Sequence, residues 1–206
     1  MKHLGKLGLI GLVVALMAPF AGSAQATVVT SGGASYTGEF KAEAKDVVLH
    51  RKTFFEGKFG ITCGKSTISG FVASHGSGVT ATVGLSSVIF GECQNVLNPS
   101  AEIKVLSPGK PEVHTASGDT EGTSGGGTFT WNGFEFTTSI GPIGGNEHCF
   151  FKLSNADVGS ISGSKGTGAT AKLNVDAFLS TSLGCGLSAE LTAAYTITTP
   201  DNLNID

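Results

Sequence analysis

Along residues 169–179, ATAKLNVDAFL, the positions Ala169, Ala171, Leu173, Val175, Ala177 and Leu179 are apolar. Thr170, Lys172, Asn174 and Asp176 between them are polar, with Phe178 the exception. Residues 187–197 repeat the pattern, setting Leu187, Ala189, Leu191, Ala193, Tyr195 and Ile197 against Ser188, Glu190, Thr192 and Thr196. A period of two belongs to a strand with one buried face, and STSLGCG between the runs supplies turn residues, so the pair predicts a long hairpin. VTATVGLSSVIF (79–90) alternates in the same way. Both patterns run into a cysteine, Cys185 in STSLGC and Cys93 in GEC. Cys185 shares the parity of Leu187, and Cys149 that of Phe151 and Leu153, which predicts sulfurs pointing into the core.

TFTWNGFEFT (128–137) carries Asn132-Gly133, a pair suited to the positive φ angles of a type I′ turn. It predicts a second hairpin, with Trp131 opposite Phe134, Phe129 opposite Phe136, and all four rings on one face. LSPGKPEV (106–113) reads as a turn between short strands and GDTEGTSGGG (118–127) as a loop. EFKAEAKDVVL (39–49) fits a helix or a strand, and Phe40, Ala42 and Ala44 share one side of the strand. The whole predicts an all-β fold of more than about ten short strands in two packed antiparallel sheets, a β-sandwich or jelly-roll-like domain over residues 27–206.

The four cysteines, Cys63, Cys93, Cys149 and Cys185, predict two disulfides in an oxidising compartment. Local pairing, Cys63 with Cys93 and Cys149 with Cys185, brackets two comparable blocks. TC…SG…SGVTATV…GEC and HC…SISG…TGATAKL…LGC suggest a weak duplication over 60–94 and 147–199. Each bridge closes a loop of about 31–37 residues, worth about 3.5–4 kcal/mol in the chain-entropy model. A metal site is disfavoured, because no C-x-x-C spacing occurs and His148 beside Cys149 has no second ligand near it in sequence.

The chain opens with Lys2, His3 and Lys6, then an apolar stretch from Leu7 to Phe20, then AGSAQA. This is the layout of a signal peptide over residues 1–26, cleaved after Ala26. The apolar stretch is too short for a transmembrane anchor, which needs roughly 20 residues. From Thr27 on, 11 basic stand against 16 acidic residues, a balance that disfavours nucleic acid. Gly, Ser and Thr make up 69 of those 180 residues. Such a chain is either disordered or β-rich with many turns, and the 12 phenylalanines it retains favour folded β structure.

Candidate chemistry is sparse. The serines sit in Gly/Thr turns, where they are turn formers, and His50, His75, His114 and His148 are scattered without metal-ligand spacing. Asp119 and Glu121 are too few carboxylates for a calcium cage. The expectation is a non-enzymatic protein without cofactor or metal. Phe129, Trp131, Phe134 and Phe136 are the one candidate ligand face. Flat on a sheet, such rings stack on sugars or cover an alkyl chain; turned inward, they are core.

ITC at 61–63, SSVIFGEC at 86–93 and the closing YTITTPDNL at 195–203 resemble a loose group of uncharacterised bacterial secreted β-rich proteins. These in turn are similar to the secreted family named as activators of alkane oxidation. The resemblance implies an extracellular or cell-surface β protein in contact with hydrophobic material, with no catalytic residues to carry over. The leading expectation is thus a secreted structural or interaction protein of the cell surface or envelope. The alternative is an extracellular binding module for a hydrophobic or carbohydrate ligand. Self-association is also expected if LTAAYTITT (191–199) or VTATVGL (79–85) lies at an open sheet edge, since both combine β-branched residues with little charge.

Overall fold

The computed structural model describes residues 29–32, 34–52, 60–75, 80–95, 100–115, 126–140, 147–154, 156–164, 168–180, 185 and 188–205. The signal segment, the 116–125 part of the Gly-rich loop with Asp119 and Glu121, and the turn around Cys185 lie outside these residues. The strands are β1 (Val29–Ser31), β2 (Ala34–Ser35), β3 (Gly38–Lys52), β4 (Gly60–His75), β5 (Thr80–Asn95) and β6 (Glu102–Thr115). β7 (Gly126–Ile140), β8 (Glu147–Lys152), β9 (Ala156–Ser164), β10 (Gly168–Ser180), β11 (Ser188–Thr199) and β12 (Leu203–Ile205) complete the chain.

The long strands follow one another as antiparallel neighbours from β3 to β11, and β11 returns to pair with β3. β8 and β9 are two lengths of one wall position: β8 pairs with one half of β7 and β9 with the other, and both meet β10. The result is a closed, eight-stranded, up-and-down β-barrel. The expectation of an all-β antiparallel fold holds, but the sandwich gives way to a barrel. A small sheet of β12, β1 and β2 caps one end. It is held by the Tyr36 N–H donating to the Val29 carbonyl at 2.7 Å and the Ser31 hydroxyl donating to Asn202 Oδ1 at 2.7 Å.

The sandwich expectation failed because turn signals in this chain bend strands without ending them. Asn132-Gly133 makes no hairpin: β7 runs straight through it, with Gly133 at φ 74° opposite Gly109 at φ 67° in an equally continuous β6. LSPGKPEV is therefore strand as well, and EFKAEAKDVVL lies entirely within β3. A Cβ on Gly109 would lie 2.7 Å from the Asn132 carbonyl oxygen, so the residue is fixed by both conformation and space. The row continues into the next strand, where the Gly133 N–H donates to the Leu153 carbonyl at 3.0 Å. Across the barrel a second row passes through Asp46 (φ 54°), Gly64 and Glu92 (φ 58°) of β3, β4 and β5.

At each row the inward parity flips. Ala42 and Ala44 are buried on one side of Asp46 and Val47 and Leu49 on the other; Phe129 and Trp131 precede Gly133, and Phe134 and Phe136 follow it. The four rings thus share the inner face, as expected, although they come from one strand and not from a hairpin. The two rows form a waist, the level at which the inward parity changes, and the rings of Trp131 and Phe134 meet across it, 4.6 Å centre to centre. Outward positions such as Glu39, Lys41, Glu43, Lys104, Glu112 and Thr192 are exposed.

The disulfides are Cys63–Cys93 and Cys149–Cys185, as the block argument predicted, and the described residues include no free cysteine. Both lie at the end away from the cap. The strand containing Tyr195 is paired on both sides, with β3 and β10, so LTAAYTITT offers no open edge. β5 pairs with β4 along its length, but with β6 only over Thr80–Thr82.

Candidate ligand cavity

The two halves of the barrel are filled with residues of different size. At the disulfide end Phe134, Phe136, Phe151, Leu49, Ile61 and Leu153 are fully enclosed. Phe136 stacks on Phe151 at 5.2 Å and meets Phe134 at a tilt at 5.6 Å, ring centre to ring centre. At the cap end the inward positions include Ala42, Ala81, Ala169 and Ala171. Eight strands enclose a space just wide enough for side chains to fill or for one small ligand. Large residues fill it in one half; in the other, alanines among Phe40, Phe129, Trp131 and Tyr195 leave a hollow.

The hollow is a cavity of ≈ 100 Å³ to which every wall position contributes. β3 and β4 supply Phe40, Ala42, Ile68 and Val72; β5 and β6 supply Val83, Leu85, Pro111 and Val113. Phe129 and Trp131 come from β7, Ile161 from β9, Ala171 and Leu173 from β10, and Tyr195 and Ile197 from β11. Val29 and Leu203 line it from the cap.

The sequence-predicted ligand face is therefore split by the waist: Phe129 and Trp131 line the cavity, whereas Phe134 and Phe136 belong to the packed half. The other lining residues escaped the sequence reading because they arrive singly from strands far apart in the chain. Inward alternation of small apolar residues in β3 and β10 was the one signal that could have marked them. Among the scattered histidines, His148 is exposed, and His114 Nε2 lies 3.2 Å from Thr130 Oγ1. Within the described residues no three metal-ligating side chains gather.

Only two lining side chains carry a polar atom, and both are occupied. Trp131 Nε1 donates to the Pro108 carbonyl at 2.8 Å. The Tyr195 hydroxyl shares a 2.8 Å hydrogen bond with Ser66 Oγ, which itself donates to the Ile89 carbonyl at 2.9 Å. Burial pushes the Tyr195 phenol up to about 12, an effect that the bond to Ser66 offsets only in part. An unfolded phenol loses its proton near 10.0. Above that pH the unfolded state is favoured, so the stability Tyr195 contributes is complete below 10 and declines as pH rises towards 12. The difference is on the order of 2 kcal/mol. Urea unfolding of the parent and of Tyr195→Phe from pH 8 to 12 should show this extra alkaline loss in the parent alone.

An up-and-down barrel with an apolar cavity under a two-ended cap is the class that fold and site together define. Neither a protein-family model nor a curated protein nor a solved structure matches this chain.

Proposed function

We propose that the protein is a secreted, non-enzymatic binder of a small apolar molecule, held inside the barrel at its cap end. The observation that carries this reading is the cavity itself, apolar on all sides, with its two polar side-chain atoms already paired. A sugar would bring hydroxyls that find no partner there, and each unpaired group costs about 1–3 kcal/mol. Of the two ligands the sequence left open, the hydrophobic one is the better fit. An apolar cavity of about 150 Å³ binds benzene, so ≈ 100 Å³ suits a single ring or a short alkyl chain.

Export rests on the N-terminal segment, and the two disulfides fit an oxidising, extracellular setting. Charged residues face out and apolar ones face in, the reverse of a barrel bathed in lipid. No helix among the described residues is long and apolar enough to cross a membrane.

Trp131 is the only tryptophan and lies in the cavity wall, so it reports on the site directly. Bromobenzene, whose bromine quenches indole on contact, should quench Trp131 saturably with a dissociation constant on the order of 0.1–1 mM. Ala42→Leu should fill the hollow, abolish the saturable phase and leave thermal stability unchanged or higher. Quenching that stays linear in bromobenzene for the parent would refute the reading.

A further inference from the structure

From the cavity reading and the wall of the barrel, we infer that the ligand reaches the cavity through the seam between β5 and β6. The ladder between these strands pairs Thr80 with His114, Ala81 with Val113 and Thr82 with Glu112, then stops. Continued in register, the next partner of Val83 would be Pro111, followed by Gly109 at positive φ and by Pro108. Each proline removes a backbone donor, and Gly109 bends β6 away from a regular ladder. The opening is thus written into the local sequence PGKP.

The β3–β4, β4–β5, β6–β7, β10–β11 and β11–β3 walls are laddered along most of their shared length, and β10 meets β9 and β8 in ladders of six and two pairs. Between β5 and β6 the stretch from Val83 to Asn95 has no ladder on its β6 side. This seam, called the slit below, begins at the short Thr80–Thr82 ladder. It opens where it matters: Val83 and Leu85 on one lip and Pro111 on the other line the cavity. Over Val83–Asn95 no ladder pair joins the two strands, so parting them disrupts less regular pairing than at a fully laddered wall, and a slim apolar molecule passes at lower cost. Ile89, 60% exposed, and Leu106, 51% exposed, stand on the outer faces of the two lips. They present an apolar approach to the slit in a surface otherwise rich in charge and hydroxyl groups.

A port changes the rate of exchange and not the affinity, because a barrier on the path slows arrival and departure alike. The test bridges the lips in the full protein. Ile89→Cys with Leu106→Cys is joined by a short bifunctional maleimide, with a monofunctional maleimide as control. Stopped-flow quenching of Trp131 by bromobenzene then gives both rate constants. With the bridge, association and dissociation should each slow by about tenfold or more, while the equilibrium constant stays within about twofold of the control. Bridged protein that binds at unchanged rates overturns the port, leaving the cap end as the path and the cavity reading intact. Unmodified protein that shows no saturable quenching removes the cavity reading, and the port with it. Retained Trp131 emission in the bridged protein confirms that the barrel is still folded.

Discussion

Replacement of all four cysteines by alanine is expected to leave a chain that does not hold its fold at room temperature. The bridges close loops with sequence separations of 30 and 36, each worth about 3.5–4 kcal/mol in chain entropy. Together they contribute about 7–8 kcal/mol, against a total stability of about 5–15 kcal/mol for a domain. Glycine enlarges the entropy lost on folding, so this chain, with 31 glycines, depends on such constraints more than most. The two pairs should not be equivalent. Cys63 faces Cys93 inside a ladder that is in register on both sides, so its loss leaves the hairpin aligned. Cys149–Cys185 anchors the segment between β10 and β11 beside a β8–β10 ladder of only two pairs, Leu179 with Lys152 and Ser180 with Phe151. Urea midpoints should fall by the equivalent of about 3.5 kcal/mol without the first pair and about 4 kcal/mol or more without the second, where the native ladder is also weakened. A midpoint unmoved by reducing agent would contradict this account of the fold.

The second large effect separates the packed half from the hollow one. Phe136→Ala should cost about 3–5 kcal/mol, because the ring is 1% exposed and enclosed by Phe134 and Phe151. Added volume should show the converse. Ala189→Leu enters the packed half, where Ala189 is fully enclosed, and should cost about 1–3 kcal/mol by overpacking. Ala42→Leu adds the same atoms on the cavity side of the waist and should cost nothing. Thermal denaturation of the three variants tests the division. Equal penalties for the two alanine positions would mean that the interior is uniformly filled.

β11 was legible in the sequence because Ala189 to Ile197 alternate without interruption and no positive-φ residue breaks the parity. The disulfide pairing was legible from the two bracketed blocks. The barrel was not, and the reason lies in particular residues. Asn132-Gly133 and Pro108-Gly109 carry turn chemistry, but the same backbone conformations serve as bends inside a long strand when the chain on either side finds partners. Glu92 carries no turn signal and Asp46 only its own tolerance of the left-handed region, with no Gly or Pro beside it, yet both take positive φ within strands. Closure itself depends on β11 meeting β3, nearly the whole length of the domain away in sequence. The cavity was half legible. Trp131 and Phe129 stood out as large rings, but a hollow is made by what is small, and alanines in alternating strands read as ordinary core.

The central claim is that a small apolar molecule occupies the cap end of the barrel. Crystals of the protein soaked with iodobenzene test it most directly, since iodine scatters anomalously and marks its own position. One strong peak should appear beside Trp131, Leu173 and Tyr195, and be absent from crystals of Ala42→Leu. Iodine found only on the outer surface, with the barrel interior filled by side chains, would contradict it.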